Sequence, residues 1–144
     1  MRTTRSRVLA TTRERIWDVV GDPYHEPRWW PRVQRVEGVS KRGWTSVMTS
    51  PRGNTVRADW TLEDSHQPER RTWTQELAGT PFERMLKRNA YGVELERLEP
   101  ARTRVTLVAE QHLRGMARFA PWMIKSAMRR NLDAALEGLS QALE

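Results

Sequence analysis

From residue 32 to residue 112 polar and apolar positions alternate with period two, the pattern of strands with one buried face. Val56, Ala58, Trp60 and Leu62 alternate with Arg57, Asp59, Thr61 and Glu63. Thr103, Val105, Leu107 and Ala109 alternate with Arg104, Thr106, Val108 and Glu110 in the same way. Turn residues punctuate the run at Lys41-Arg42-Gly43, Pro51-Arg52-Gly53-Asn54, His66-Gln67-Pro68, Gly79-Thr80-Pro81 and Glu99-Pro100-Ala101. Six strands are predicted, at about 32–39, 43–50, 55–64, 69–78, 82–98 and 102–112. Asn89 and Gly92 mark a bulge or a break in the fifth of them. The short connections favour an antiparallel meander.

The flanking segments differ. Residues 3–10 read as a first strand. Thr11-Thr12-Arg13-Glu14 has the Ser/Thr-x-x-Glu form, which places a helix cap at Thr11. Ile16, Trp17, Val19 and Val20 supply that helix with an apolar face, and Gly21-Asp22-Pro23 stops it. A second short helical segment ends before Pro31, because the residue preceding a proline is pushed out of the α region. After Leu113-Arg114-Gly115 the period becomes helical. Ile124, Met128, Leu132, Leu136 or Ala135, Leu139 and Leu143 form one stripe from residue 121 to the end, with Pro121 suited to the first turn.

A chain of 144 residues fits a single domain, residues 1–144, with burial of about 70% of its unfolded surface at this size. No run of about 18 apolar residues could span a membrane, so no membrane insertion is expected. The basic N-terminus meets Thr11, Thr12 and Arg13 before any apolar run of signal-peptide length. With no cysteine, there is no disulfide framework, thiol nucleophile or zinc–thiolate site, and a cytoplasmic location fits. Net charge is +7 and the isoelectric point about 10.9. The 25 basic residues, nearly all arginine, are spread along the chain among acids rather than clustered. They read as a solvated coat, and no specific nucleic-acid partner is expected.

Several of these residues carry a family resemblance: Ile16-Trp17-Asp18-Val19-Val20, Asp22-Pro23, Pro27-x-Trp29-Trp30-Pro31-x-Val33, Val36-Glu37, and the last helix ending in Leu136-x-x-Leu139. The chain resembles the START-like (SRPBCC) superfamily, and within it the bacterial polyketide cyclase/dehydrase-like and lipid-transport-like domains. The resemblance runs over essentially the whole chain, although its motifs are mostly scaffold positions. It implies an α+β helix-grip fold, in which a seven-stranded antiparallel sheet wraps a long C-terminal helix and two short helices follow the first strand. It also implies a cavity for an apolar small molecule, lipid- or polyketide-like. The superfamily holds both cyclases and pure binding proteins, so membership leaves activity open.

Seven tryptophans are many for a chain with two Phe and two Tyr. Trp60 and Trp73 fall on the apolar faces of neighbouring strands, and Trp122 begins the last helix. Indoles make flat apolar walls with one N–H donor, so these three are candidate cavity walls. The alternative is that they fill the core, as Trp17 is expected to. Adjacent Trp29 and Trp30 point apart, one into the core and one partly exposed. Gln75 and Tyr91 are the candidate polar ligand contacts, with Gln111 inward beside Ala109. An amide can orient a carbonyl but is a poor base. His25, His66 and His112 are scattered, no metal-ligand spacing exists, and no phosphate-binding or nucleophile motif occurs, so no metal and no cofactor are expected. Nothing amounts to an acid–base pair, and catalytic residues stay unassigned.

Three functions therefore stand. The first is a binding or carrier protein for an apolar small molecule, as monomer or homodimer. The second is a cyclase- or dehydratase-like enzyme. The third is an interaction module whose cavity is filled by its own tryptophans.

Overall fold

The computed structural model describes residues 1–144. Strand β1 (Arg2–Leu9) leads into helix α1 (Arg13–Val20), then a 3-10 turn (Pro23–His25) and the short helix α2 (Glu26–Trp29). Five strands follow: β2 (Val33–Glu37), β3 (Gly43–Thr49), β4 (Thr55–His66), β5 (Arg70–Gln75) and, after a 3-10 turn at Pro81–Arg84, β6 (Leu86–Glu99). Strand β7 (Arg102–Leu113), a 3-10 turn (Gly115–Phe119) and helix α3 (Pro121–Ala142) complete the chain. All neighbouring strands are antiparallel, in one seven-stranded sheet ordered β1-β7-β6-β5-β4-β3-β2. This is the α+β helix-grip architecture.

Period two decides which side chains meet helix α3. Ala58 and Trp60 of β4, Tyr91, Val93 and Leu95 of β6, and Val105, Leu107 and Ala109 of β7 join one buried cluster with Leu132, Ala135, Leu136 and Leu139 of α3. The fully buried α3 residues all lie in its second half. That half is pinned at the edge of the sheet. Arg5 of β1 donates two 2.9 Å hydrogen bonds to the Asp133 carboxylate, and Arg7 pairs with Glu137. Helix α2 crosses α3 at Gly138, where a Cβ would come within 2.3 Å of the Trp29 carbonyl oxygen. The first half of α3 has no such anchors. It spans the sheet as a roof, with Ile124, Ala127 and Met128 only half-buried.

Four expectations need correction. The cap of α1 is Thr12, whose hydroxyl accepts from the Arg15 N–H at 3.2 Å. Thr11 instead offers its carbonyl to Thr103 Oγ1. Residues 81–84 are a 3-10 turn, because Thr80 caps them through the Phe82 N–H and Pro81 cannot donate to a ladder. Asn89 and Gly92 neither bulge nor break β6: they pair with Gln111 and Val108, and the irregularities lie at Leu86/Arg88 and Arg97/Glu99. Trp29 and Trp30 are both buried. The chain leaves α2 at Trp30 in extended conformation, and the two indoles pack edge to face at 5.3 Å, with Trp30 reaching Trp73 and Tyr91 on the sheet.

Candidate functional site

Between the concave face of the sheet and the roof of α3 lies a cavity of about 460 Å³. Its size falls inside the range of about 300–1,000 Å³ usual for small-molecule sites. Val56, Ala58 and Trp60 of β4, Met48 of β3, Leu86 and Tyr91 of β6, and Ile124 and Met128 of α3 supply the apolar wall. The indoles do not fill it. Its exposed lining residues, Arg32, Pro51 and Met85, mark where it opens to solvent. A larger, shallow groove of about 900 Å³ around Arg84 and Arg114 lies elsewhere and has no hydrophobic lining residue, so it offers an apolar ligand no wall.

The inner end of the cavity is polar. Gln75 of β5, Asn89 of β6 and Gln111 of β7 sit side by side on the inward face, as their register requires. Asn89 Nδ2 donates to Gln75 Oε1 at 2.8 Å, and Gln111 Nε2 donates to Asn89 Oδ1 at 2.9 Å. Three neutral amides thus form a hydrogen-bonded row, and all three line the cavity. Gln111 Oε1 and Trp60 Nε1 beside them are buried without a partner. The Tyr91 hydroxyl donates to Met128 Sδ at 3.5 Å. Burial pushes the phenol up to about 12, opposed by hydrogen bonding from Asn89, so it remains a protonated donor at neutral pH.

Trp60, Gln75 and Tyr91 therefore line the cavity, while Trp73 and Trp122 do not. Trp73 pairs in register with Tyr91 but stands behind it, with ring centroids 6.2 Å from Trp44 and 6.1 Å from Trp30. It belongs to the packed core. Trp122 is 67% exposed, because the 3-10 turn before α3 carries the start of the helix beyond the sheet. Trp30 takes the wall position instead, edge-on to Tyr91 at 4.9 Å.

None of the histidines lines the cavity. His25 Nδ1 lies 2.8 Å from the Asp18 carbonyl oxygen, and His66 and His112 face Asp64 and Glu110 at the surface. No cluster of His, Asp and Glu is arranged to hold a metal ion.

Sequence reasoning missed Asn89, Arg32, and a buried cluster beneath α2. Asn89 shares strand parity with Tyr91 and Val93, which was signal enough to place it inward. Arg71 likewise shares parity with Trp73 and Gln75. It lies buried with its guanidinium 5.2 Å from the Trp44 ring centroid. Glu26 is buried below it and accepts from Trp44 Nε1 and Ser46 Oγ. Burial raises the Glu26 carboxyl above its ordinary value, against those hydrogen bonds and the positive charge of Arg71. Nothing in the local sequence marked Glu26.

Over residues 1–144 the sequence matches the family described as polyketide cyclase / dehydrase and lipid transport. The chain belongs to that family. Solved structures agree on the fold. A START superfamily protein from Mycobacterium smegmatis aligns with a TM-score of 0.82 at 11% identity, over 99% of this chain and 96% of that one. A protein from Arthrobacter aurescens aligns at 0.76 and 22% identity, over 99% and 85%. The di-domain ARO/CYC BexL from the BE-7585A biosynthetic pathway aligns at 0.82 and 17% identity, over 99% of this chain and 46% of that one. No sequence match to a curated protein accompanies these structural ones. No helix is long and apolar enough to cross a membrane.

Proposed function

We propose that this family member is a binding or carrier protein for an apolar small molecule, lipid- or polyketide-like, held between the sheet and α3. The observation that carries this reading is a cavity of about 460 Å³ with an apolar wall and a row of neutral amides at one end. The wall supplies affinity by burying apolar surface, and the amides orient an oxygen function of the ligand. Trp60, Gln75 and Tyr91 are the proposed contacts, with Trp30 and Asn89 added to them.

The chemistry of the lining favours binding over turnover. No carboxylate, histidine or lysine lines the cavity. A general acid or base works best with a pKa near the working pH, and Tyr91, pushed up to about 12, is far from it. Amides and a protonated phenol can polarise a carbonyl, but no side chain in the lining is suited to act as a general base at neutral pH.

Native mass spectrometry of the purified protein tests this directly, followed by tryptophan-fluorescence titration with matched alkyl and aromatic ligands. A retained or added ligand that is released unchanged supports the reading. Conversion of the ligand would replace it with the cyclase- or dehydratase-like one. Failure of every apolar ligand to bind would leave only an interaction module.

A further inference from the structure

Arg32 is the one charged residue among those lining the cavity. It is also the one non-glycine residue with positive φ, at 66°. The backbone there turns the chain from α2 into β2, and its carbonyl accepts from the Thr49 N–H at 3.0 Å. That turn needs a left-handed residue, which glycine adopts freely and arginine does not. Nothing in the turn calls for a guanidinium. Nor does an ion pair account for it. Neighbouring Arg35 and Arg57 share the Glu37 carboxylate, whereas Arg32 is exposed and has no acidic partner. A long cationic side chain is thus held in a strained backbone position at the mouth of an apolar cavity, with its donors free. Residues kept in sparsely populated conformations concentrate at functional sites, where the surroundings hold them.

Resting on the carrier reading, we infer that the ligand is an amphiphile whose anionic head, a carboxylate or a phosphate monoester, is held by Arg32 at the cavity mouth. The interior excludes the opposite orientation. It offers amides, a phenol and apolar side chains, and an anion placed among Trp60, Val56 and Ala58 would lose its hydration without gaining a countercharge. At the rim the head stays partly hydrated, and the planar fork of the guanidinium can meet two of its oxygens at once. The apolar body then runs inward toward Gln75 and Asn89, where a neutral oxygen function would be read.

The test is fluorescence titration of the wild-type protein and of Arg32→Gly and Arg32→Lys. The probes are dodecanoate, dodecyl phosphate and 1-dodecanol, with 2-naphthoate and 2-naphthalenemethanol as an aromatic pair. Wild type should bind at least one anion about tenfold more tightly than its matched alcohol, as one charge-assisted bidentate contact gives. The preference should shrink as salt is raised. Between dodecanoate and dodecyl phosphate, the tighter identifies the head. Arg32→Gly should abolish the preference while the melting temperature stays level or rises, since glycine relieves the left-handed backbone, and Arg32→Lys should keep part of it. Equal binding of anion and alcohol by wild type, or a preference that survives in Arg32→Gly, overturns this inference and leaves the carrier reading intact. Binding of no probe overturns both.

Discussion

Trp44 Nε1 donates a hydrogen bond to Glu26 Oε2 at 2.9 Å, joining the third strand to the short helix that covers its end. Ser46 Oγ donates to the other carboxylate oxygen, and the Arg71 guanidinium lies over the Trp44 ring. A buried acid is thereby supplied with two donors, and a buried cation is placed near enough to offset part of its charge. Burial still outweighs these, so the Glu26 carboxyl holds its proton above the ordinary value of 4.5.

That direction fixes the sign of its contribution to stability. The folded state binds the Glu26 proton more tightly than the unfolded state does. Its contribution is therefore fully present below about pH 4.5 and is lost as pH rises through the raised folded value. Exposed Glu37, Asp64, Asp133 and Glu137 have lowered values from their arginine partners and act in the opposite sense. They are the same in a Glu26→Gln variant and cancel in the comparison. Urea denaturation of both proteins from pH 4 to 8 should show wild type losing stability relative to Glu26→Gln as pH rises. A difference that does not vary with pH would mean that folding leaves the Glu26 carboxyl at its ordinary value.

Helix α3 is anchored by its second half, and Leu132, at 0% exposure, begins that half. Leu132→Ala should cost about 2–5 kcal/mol, from lost transfer energy and the void left behind. At Gly138 the problem is the reverse. A Cβ 2.3 Å from the Trp29 carbonyl oxygen forces α2 and α3 apart, so Gly138→Ala should cost about 1–3 kcal/mol as an overpacked site does. Denaturant titrations check both. A loss below about 1 kcal/mol at Leu132 would remove that residue from the core.

The seven tryptophans separate sharply by accessibility. Trp122 is 67% exposed, and the other six range only from 5% to 8%. Iodide should quench a minor, red-shifted part of the emission, and Trp122→Phe should remove that part alone. Trp73→Ala should cost about 3–5 kcal/mol, as a packed aromatic does. Trp60→Phe should instead change the response to ligand. Iodide quenching that survives in Trp122→Phe would show a second exposed indole.

Much of the fold could be read from the chain because period two and period 3.6 each leave a long mark. Val56–Leu62 and Val105–Ala109 gave the inward faces of β4 and β7, and the stripe through Leu132, Leu136 and Leu139 gave the helix they hold. The same parity placed Trp60 and Gln75 inward, whereas the facing of Tyr91 is settled only by the register of β6. What parity could not give was depth. Trp73 and Trp60 share a face, yet only one reaches the cavity, because Trp73 is packed among Trp30, Trp44 and Tyr91. Trp122 lay on the helix but before its docked half, a distinction set by the arginine pairs from β1. Arg32 left no pattern at all, since its φ is imposed by the junction of α2 with β2.

The row Gln75–Asn89–Gln111 offers the sharpest test of the polar end. Asn89 both donates and accepts within it, so Asn89→Ala leaves Gln75 Oε1 and Gln111 Nε2 without partners in a buried setting. Each stranded group costs about 1–3 kcal/mol. Replacing all three amides by leucine removes the stranded groups together and should recover most of that loss, since paired polar groups exchanged for apolar ones of similar shape are nearly neutral. The two variants should therefore rank inversely to the number of changes they carry, the single substitution being the less stable. Binding should separate from stability in the triple variant. A hydrocarbon probe such as naphthalene should bind it at least as well as wild type, while a probe with an inward hydroxyl or carbonyl should lose its advantage over the hydrocarbon. If the triple variant keeps that advantage, the amides do not face the ligand, and the oriented end of the cavity lies elsewhere.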